Sequence, residues 1–392
     1  MTPCVVRWAG INLIRLFRLM TAAFFVGHLQ PLTFGVATAL AQTLESPTNL
    51  RVAEQPGTPG QKFTIVGTRI IGPDGNEFVP IGGNANGPYS WWNDATIGMS
   101  ATAQKWHWNT LRLITCWPGG CPKAGGWSWD TNNDLDGIIQ EYTAKKIVIM
   151  ISLHQFTGAD SLSAADASTL VTFWTDLANK YKNNTYVWFN IANEPVTGGD
   201  SSFSDWLEFT EPSVQAIRAT GADNIIVVDG SMFGQEAADW SCGEIPYTDS
   251  AILAFGPRFR DTYGNILPSV HTYGVWGGGT NSCTTTQLNT RMNEYFDRIA
   301  SANLPIVIGE TGDCPDGPSC DAFWNDGQYE GTETTFRIAP GRRIGILWWS
   351  ASGGSGYFLT SGGWEGINYV TPPDGLSDFG KLLYNYGLQV NP

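Results

Sequence analysis

Residues 305–311 read Pro-Ile-Val-Ile-Gly-Glu-Thr, a short run of β-branched residues that stops on a carboxylate. A run of this length, bounded by Pro and Gly, is predicted to be a strand buried on both faces. Seven further runs share its character: 78–82 (FVPIG), 110–115 (TLRLIT), 147–153 (IVIMISL), 187–191 (VWFNI), 225–229 (IIVVD), 267–271 (LPSVH) and 344–349 (IGILWW). Between them lie stretches with apolar residues at helical spacing, among them 165–182 and 288–302. Strands that alternate with helices imply parallel βα units. Eight such units predict an α/β fold, a single (β/α)₈ TIM barrel over 63–392. A doubly wound sheet is the alternative, but it calls for a Gly-rich phosphate loop after its first strand. The chain carries no GxGxxG or Walker sequence.

A barrel of this kind holds its catalytic groups at the C-terminal ends of the strands. The polar residues of this chain fall there. The second run contains Arg112 and the third ends at His154. The fourth ends in Asn193-Glu194-Pro195, the sixth in His271-Thr272-Tyr273, the seventh in Gly309-Glu310-Thr311 and the eighth in Trp348-Trp349-Ser350. Strands four and seven stand across the barrel mouth, so Glu194 and Glu310 are expected to face one another. Two close carboxylates split each other's pKa values, so that one holds a proton while the other stays ionised. Glycoside hydrolysis needs that division: an acid for the leaving oxygen and a carboxylate at the sugar C1.

Together these motifs resemble family 5 of the glycoside hydrolases, the cellulase A family within the clan of retaining barrel enzymes. The likeness runs over 63–389. Asn193-Glu194-Pro195, preceded by Phe189-Asn190-Ile191-Ala192, matches the family's acid/base motif, and Ile306-Val307-Ile308-Gly309-Glu310 its nucleophile strand. His271-x-Tyr273 matches the pair on strand six, and Asn109-Thr110-Leu111-Arg112-Leu113 the strand with a buried arginine. The resemblance implies Glu194 as acid/base and Glu310 as nucleophile, with Arg112 and Tyr273 hydrogen-bonded to Glu310. It places Asn193 on the sugar 2-hydroxyl and His154 and His271 along the subsite of the cleaved sugar. Trp349 matches the aromatic platform after strand eight; alternation turns either it or Trp348 out of the barrel. Gln155 is a departure, since many relatives carry an acid there.

The activity this implies is hydrolysis of internal β-1,4 links of a glucan, an endoglucanase reading, with no metal and no other cofactor. An endo-β-1,4-mannanase, or another β-glycanase or β-glucosidase, is the alternative within the family. A carbohydrate-binding pseudoenzyme is the alternative of another class. The expected partner is a polysaccharide or oligosaccharide, bound by a monomer. Trp91, Trp92, Trp117, Trp127, Trp129, Trp276 and Trp364 fall in predicted loops above the barrel, where flat rings can stack on pyranose faces. Ordinary packing of loops onto the barrel competes with that role at each of them.

Composition narrows the remaining choices. Hydrophobic residues make up 42% of the 392, enough for a sizeable core, and charged residues only 15%. The formal net charge of −14 and the lack of a basic stripe argue against a nucleic-acid partner. Residues 1–41 carry only Arg7, Arg15 and Arg18 as charges, then an apolar run, and end in Ala39-Leu40-Ala41. They read as a signal peptide cleaved before Gln42. Its loss would take the charge from −14 to −17, leaving a secreted, extracellular protein with no membrane attachment. Residues 42–62 read as an exposed lead-in segment before the catalytic domain, 63–392.

Six cysteines remain after Cys4, an even number that suits disulfides in an exported chain. Spacing suggests Cys116–Cys121 and Cys314–Cys320 as local staples, which leaves Cys242–Cys283. Asp130 to Asp136 resembles a calcium loop but lacks the Gly and bidentate Glu of an EF-hand, so helix capping before Ile138 is the stronger reading. Asn183-Asn184-Thr185 is a glycosylation sequon.

Overall fold

The computed structural model describes residues 62–86, 99–117, 134–197, 203–236, 241–245, 249–279, 281–313, 328–351, 359–361, 367 and 370–392. The expected leader, nearly all of the lead-in segment, and Trp91, Trp92, Trp127, Trp129 and Trp364 lie outside them, as do Cys121, Cys314 and Cys320. Among the described residues no helix is long and apolar enough to cross a membrane.

A small hairpin comes first: β1 (Thr64–Val66) pairs antiparallel with β2 (Arg69–Ile71). Eight strands then close a barrel: β3 (Ile81–Asn86), β4 (Thr110–Thr115), β5 (Val148–Leu153), β6 (Val187–Asn190), β7 (Ile226–Asp229), β8 (Ile266–His271), β9 (Val307–Thr311) and β10 (Gly345–Trp348). They follow in chain order, every neighbouring pair is parallel, and β10 returns to β3. The helices around it are α1 (Ser100–Lys105), α2 (Asp134–Ala144), α3 (Ala164–Tyr181), α4 (Ser204–Ala219), α5 (Ala251–Tyr263), α6 (Thr285–Ser301), α7 (Gln328–Ile338) and α8 (Asp378–Val390). This is the predicted (β/α)₈ TIM barrel.

Local chemistry sets the helix bounds. Ser163 caps α3 by accepting the Asp166 N–H at 3.1 Å, and the buried Leu170, Trp174, Ala178 and Tyr181 recur at three- and four-residue spacing. α6 opens on a reciprocal capping box between Thr284 and Gln287. The calcium-like stretch runs into α2, where Asp136 pairs with Lys180 and Tyr181.

The first barrel strand lies later than the expected run 78–82. Phe78 donates its N–H to Ile70 of the hairpin at 2.8 Å, and Pro80 has no N–H to give. The strand begins at Ile81 and continues through Gly82 and Gly83 to Asn86. A side chain on Gly82 would stand 1.7 Å from the Thr110 carbonyl, so close strand approach requires glycine there.

Alternation sorts each strand into two faces. Outward residues such as Leu111, Ile149, Phe189, Ile226, Ile308, Ile346 and Trp348 pack under the helices in the main core. Inward residues change character along the strand. At the base Val148, Met150, Trp188, Val227, Leu267, Val307 and Leu347 form a second apolar cluster, closed from below by Phe63 and Ile70 of the hairpin segment. Phe63 meets the Trp188 ring edge-on at 5.2 Å. Higher up, the same faces carry Ser152, Asn190, Asp229, Ser269 and His271, all buried. The barrel is therefore dry at one end and polar at the other.

Candidate active site

Arg112 sits at the centre of the polar end, fully buried on β4. A guanidinium has five N–H donors, and here all five are used. Nε reaches Asn190 Oδ1 at 2.7 Å. Nη1 reaches Asn84 Oδ1 at 2.8 Å and Glu310 Oε1 at 2.5 Å. Nη2 reaches Asn193 Oδ1 at 2.6 Å and Asp229 Oδ2 at 3.1 Å. One cation thus fixes residues from β3, β6, β7 and β9, and the loop after β6.

Glu310 receives a second donor, the Tyr273 hydroxyl, at 3.0 Å on Oε2. Donors on both oxygens hold the carboxylate in one orientation. Asp229 is held well below the usual carboxylate range: burial opposes its charge, but His271 and Arg112 outweigh burial. His271 is likewise buried, and the carboxylates of Glu310 and Asp229 overcome that penalty and push it up to about 10. Its Nδ1 is 2.8 Å from Glu194 Oε1. Its Nε2 faces Asp229 Oδ2 at 3.4 Å, a contact too long for a strong hydrogen bond and chiefly coulombic.

Glu194 has a different setting. It lies just past β6 with φ +46°, in the left-handed region that non-glycine residues rarely occupy. Burial raises its carboxyl, and the charge of Glu310 raises it further, against the pull of His271. Oxygens of Glu194 and Glu310 and a ring nitrogen of His271 lie within 4.8 Å of one another. The arrangement suits proton transfer.

The other predicted residues gather at the same rim. Asn193 donates to Thr157 Oγ1 at 2.9 Å while its oxygen accepts from Arg112, so its amide orientation is set. The ring of His154 stacks near Trp349, centroids 6.2 Å apart and planes 22° from parallel. Burial and the nearby Arg112 cation hold it neutral, well below the usual histidine range, and its buried Nε2 has no partner among the described residues. Trp349 is partly exposed at the rim, before a cis peptide to Ser350. Trp348 points outward, fully buried against Phe336 and Phe379.

Of the two readings open for the loop tryptophans, Trp117 and Trp276 take packing. Trp117 lies edge-on against Phe156 at 4.8 Å, and Trp276 is buried between Tyr295 and Phe296. Asp229 and Asn84 have no site role in the sequence motifs, and Asn190 enters only as a neighbour of Asn193-Glu194-Pro195. Asp229 ends an apolar strand as Glu310 ends its apolar run, a signal present in the sequence; Asn84 follows Gly82 and Gly83, beyond the expected first run. Cys242 and Cys283 are joined, as expected, and Cys116 is also disulfide-bonded, with its partner outside the described residues.

Two carboxylates around one small space at the mouth of a (β/α)₈ barrel are the equipment of a glycosidase. The chain belongs to glycosyl hydrolase family 5, whose cellulase domain pattern matches residues 71–355. It is 26% identical over 326 residues to the mannan endo-1,4-beta-mannosidase of Cellvibrio japonicus, covering 82% of this chain and 66% of that protein. It is also 26% identical over 323 residues to the enzyme of that name from Streptomyces lividans, covering 81% and 72%. The chain thus spans about two thirds of the length of the first of these relatives. Among solved structures, the catalytic domain of a mannanase from Streptomyces sp. SirexAA-E superposes with a TM-score of 0.60 at 23% identity, covering 88% of this chain and 95% of that one.

Proposed function

We propose that this glycosidase is a retaining endo-β-1,4-mannanase, with Glu310 as nucleophile and Glu194 as acid/base. The observation that carries the mechanism is the contrast between two neighbouring carboxyls. Glu310 is gripped by Arg112 and Tyr273, whereas Glu194 is pushed toward its protonated form. Their oxygens lie within 4.8 Å of one another, a spacing that suits direct attack rather than activation of an intervening water, since retaining carboxyls stand about 5–5.5 Å apart.

In the first step a Glu310 oxygen bonds to the sugar C1 as the C1–O bond breaks, and the Glu194 proton passes to the leaving oxygen. Esterification removes the negative charge of Glu310, one cause of the raised Glu194 carboxyl. Glu194 is then a better base. It takes a proton from water, the water oxygen bonds to C1, and Glu310 is released. Asn193 holds the 2-hydroxyl, His154 Nε2 meets a second hydroxyl, and Trp349 supplies the platform beneath the ring.

Mannan replaces the glucan expected from sequence motifs alone. The support is that two relatives similar over about four fifths of the chain are mannan endo-1,4-beta-mannosidases. Export is proposed on the N-terminal leader pattern, together with the disulfides. The test is reducing-sugar release from mannan and carboxymethyl cellulose, with labelling by 2-deoxy-2-fluoro mannosides and glucosides. Faster mannan hydrolysis, with label on Glu310, is expected. Preference for cellulose would restore the endoglucanase reading, and label elsewhere would remove Glu310 from its role.

A further inference from the structure

A further buried carboxylate, Glu236, lies outside the polar rim. Two fixed backbone donors reach it, one per oxygen: Ser231 N–H at 2.9 Å on Oε1 and Ile252 N–H at 3.1 Å on Oε2. The Ser250 hydroxyl and the Tyr295 hydroxyl, at 3.2 Å, also bond Oε2. Glu236 therefore ties its own loop to the first turn of α5 and to α6. Burial pushes its carboxyl up to about 7 despite these donors. Burying such a group is costly unless the contacts it makes are needed.

The loop it holds is strained. Met232, Phe233 and Glu236 have φ of +55°, +54° and +64°. Such a run persists only where surrounding contacts over-determine it. The loop also touches His271 and the segment that carries Glu194. Gly234 O accepts the His271 N–H at 2.9 Å, and the Gly234 backbone lies so close to the His271 ring that a Cβ would stand 2.9 Å from it. Phe233 N–H donates to Val196 O at 2.9 Å, on the segment that carries Glu194.

We propose that Glu236 is a positioning residue for the reaction, anchoring loop 230–236 so that His271 meets Glu194 in the geometry proton transfer needs. The proposal rests on Glu194 being the acid/base. A glutamine cannot replace the carboxylate, because one of the two backbone donors would then face an amide NH₂.

The experiment compares wild type, Glu236→Gln and Glu194→Ala on mannan, or on carboxymethyl cellulose should the wild type prefer it. A dinitrophenyl glycoside of the same sugar, which needs little protonation, is run beside them. Glu236→Gln is expected to lower kcat on the polysaccharide about tenfold, part of the 10²–10⁴ a general acid supplies. KM should hold within about twofold, the activated substrate should be nearly unaffected, and the alkaline limb of kcat/KM should move to lower pH as water reaches Glu194. Tyr295→Phe, which keeps the ring packing, should show the same pattern more weakly if Glu236→Gln fails to fold. Equal losses on both substrates, an unmoved alkaline limb, or wild-type rates would overturn the proposal. If Glu194→Ala itself loses equally on both substrates, the acid/base reading falls and this one with it. If only the Glu236 and Tyr295 variants lack the pattern, this one alone falls.

Discussion

Glu194 and Glu310 are the same residue type at the same rim, and their surroundings make them different. The charge of Glu310 raises the Glu194 carboxyl, so removing it should lower the Glu194 titration midpoint. In Glu310→Gln, ¹³C NMR of labelled glutamate should show that midpoint moving to lower pH than in the wild type. An unmoved midpoint would mean the two carboxyls act independently. Which glutamates sit in these surroundings was legible in the sequence, because each ends an apolar strand. The sense of the split was implied only by the family resemblance, and its physical cause was not legible. It depends on Arg112, Tyr273 and His271, which lie 198, 37 and 77 residues from the carboxylates they bond.

At the scale of elements, strand ends and loops set the tolerance to change. A Cβ on Gly309 of β9 would stand 2.2 Å from Ser269 Oγ and 3.1 Å from His271 Nε2. Gly309→Ala is expected to cost about 1–3 kcal/mol as overpacking and to lower kcat by displacing His271. Gly137 is the contrast: it is exposed in α2 with nothing near its Cβ position. Gly137→Ala should stabilise by about 0.5–1 kcal/mol and leave kcat unchanged. Urea melts and initial rates on the two variants check both, and a harmless Gly309→Ala would show that β8 and β9 can separate. The eight strands were legible because apolar runs alternate with helical spacing. The first was offset because Pro80 and the glycines that follow make a poor strand signal, and the close approach of β4 is invisible in one dimension.

For the whole molecule, the barrel separates stability from chemistry along its axis. Phe63 plugs the apolar end, far from the polar rim. Phe63→Ala should cost about 3–5 kcal/mol while the kcat of the folded fraction stays at the wild-type value; a parallel fall in kcat would show that the base shapes the rim. The polar end carries the pH dependence. The folded pKa of His271, about 10, lies above its ordinary 6.5. Its contribution is therefore complete below about pH 6.5 and is lost as pH rises through about 10. Tm should fall across that window in the wild type and fall less in His271→Asn. Equal slopes would assign the loss to other groups.

The sequence by itself determined the architecture and which polar side chains reach one rim. Strand periodicity needs only local side-chain preference, and a barrel delivers every strand end to one rim. It also contained Arg112, His154, Asn193, His271, Tyr273 and Trp349 in recognisable settings. Only the tertiary structure decided who holds whom: five acceptors on Arg112, Asp229 beneath His271, Trp348 outward and Trp349 at the rim, Trp117 and Trp276 in packing. It also brought Glu236, a residue with no motif around it, against Ser250 and Tyr295. Hydrogen bonds and coulombic shifts fall off over a few ångströms, so they follow distance in space, and sequence records only distance along the chain.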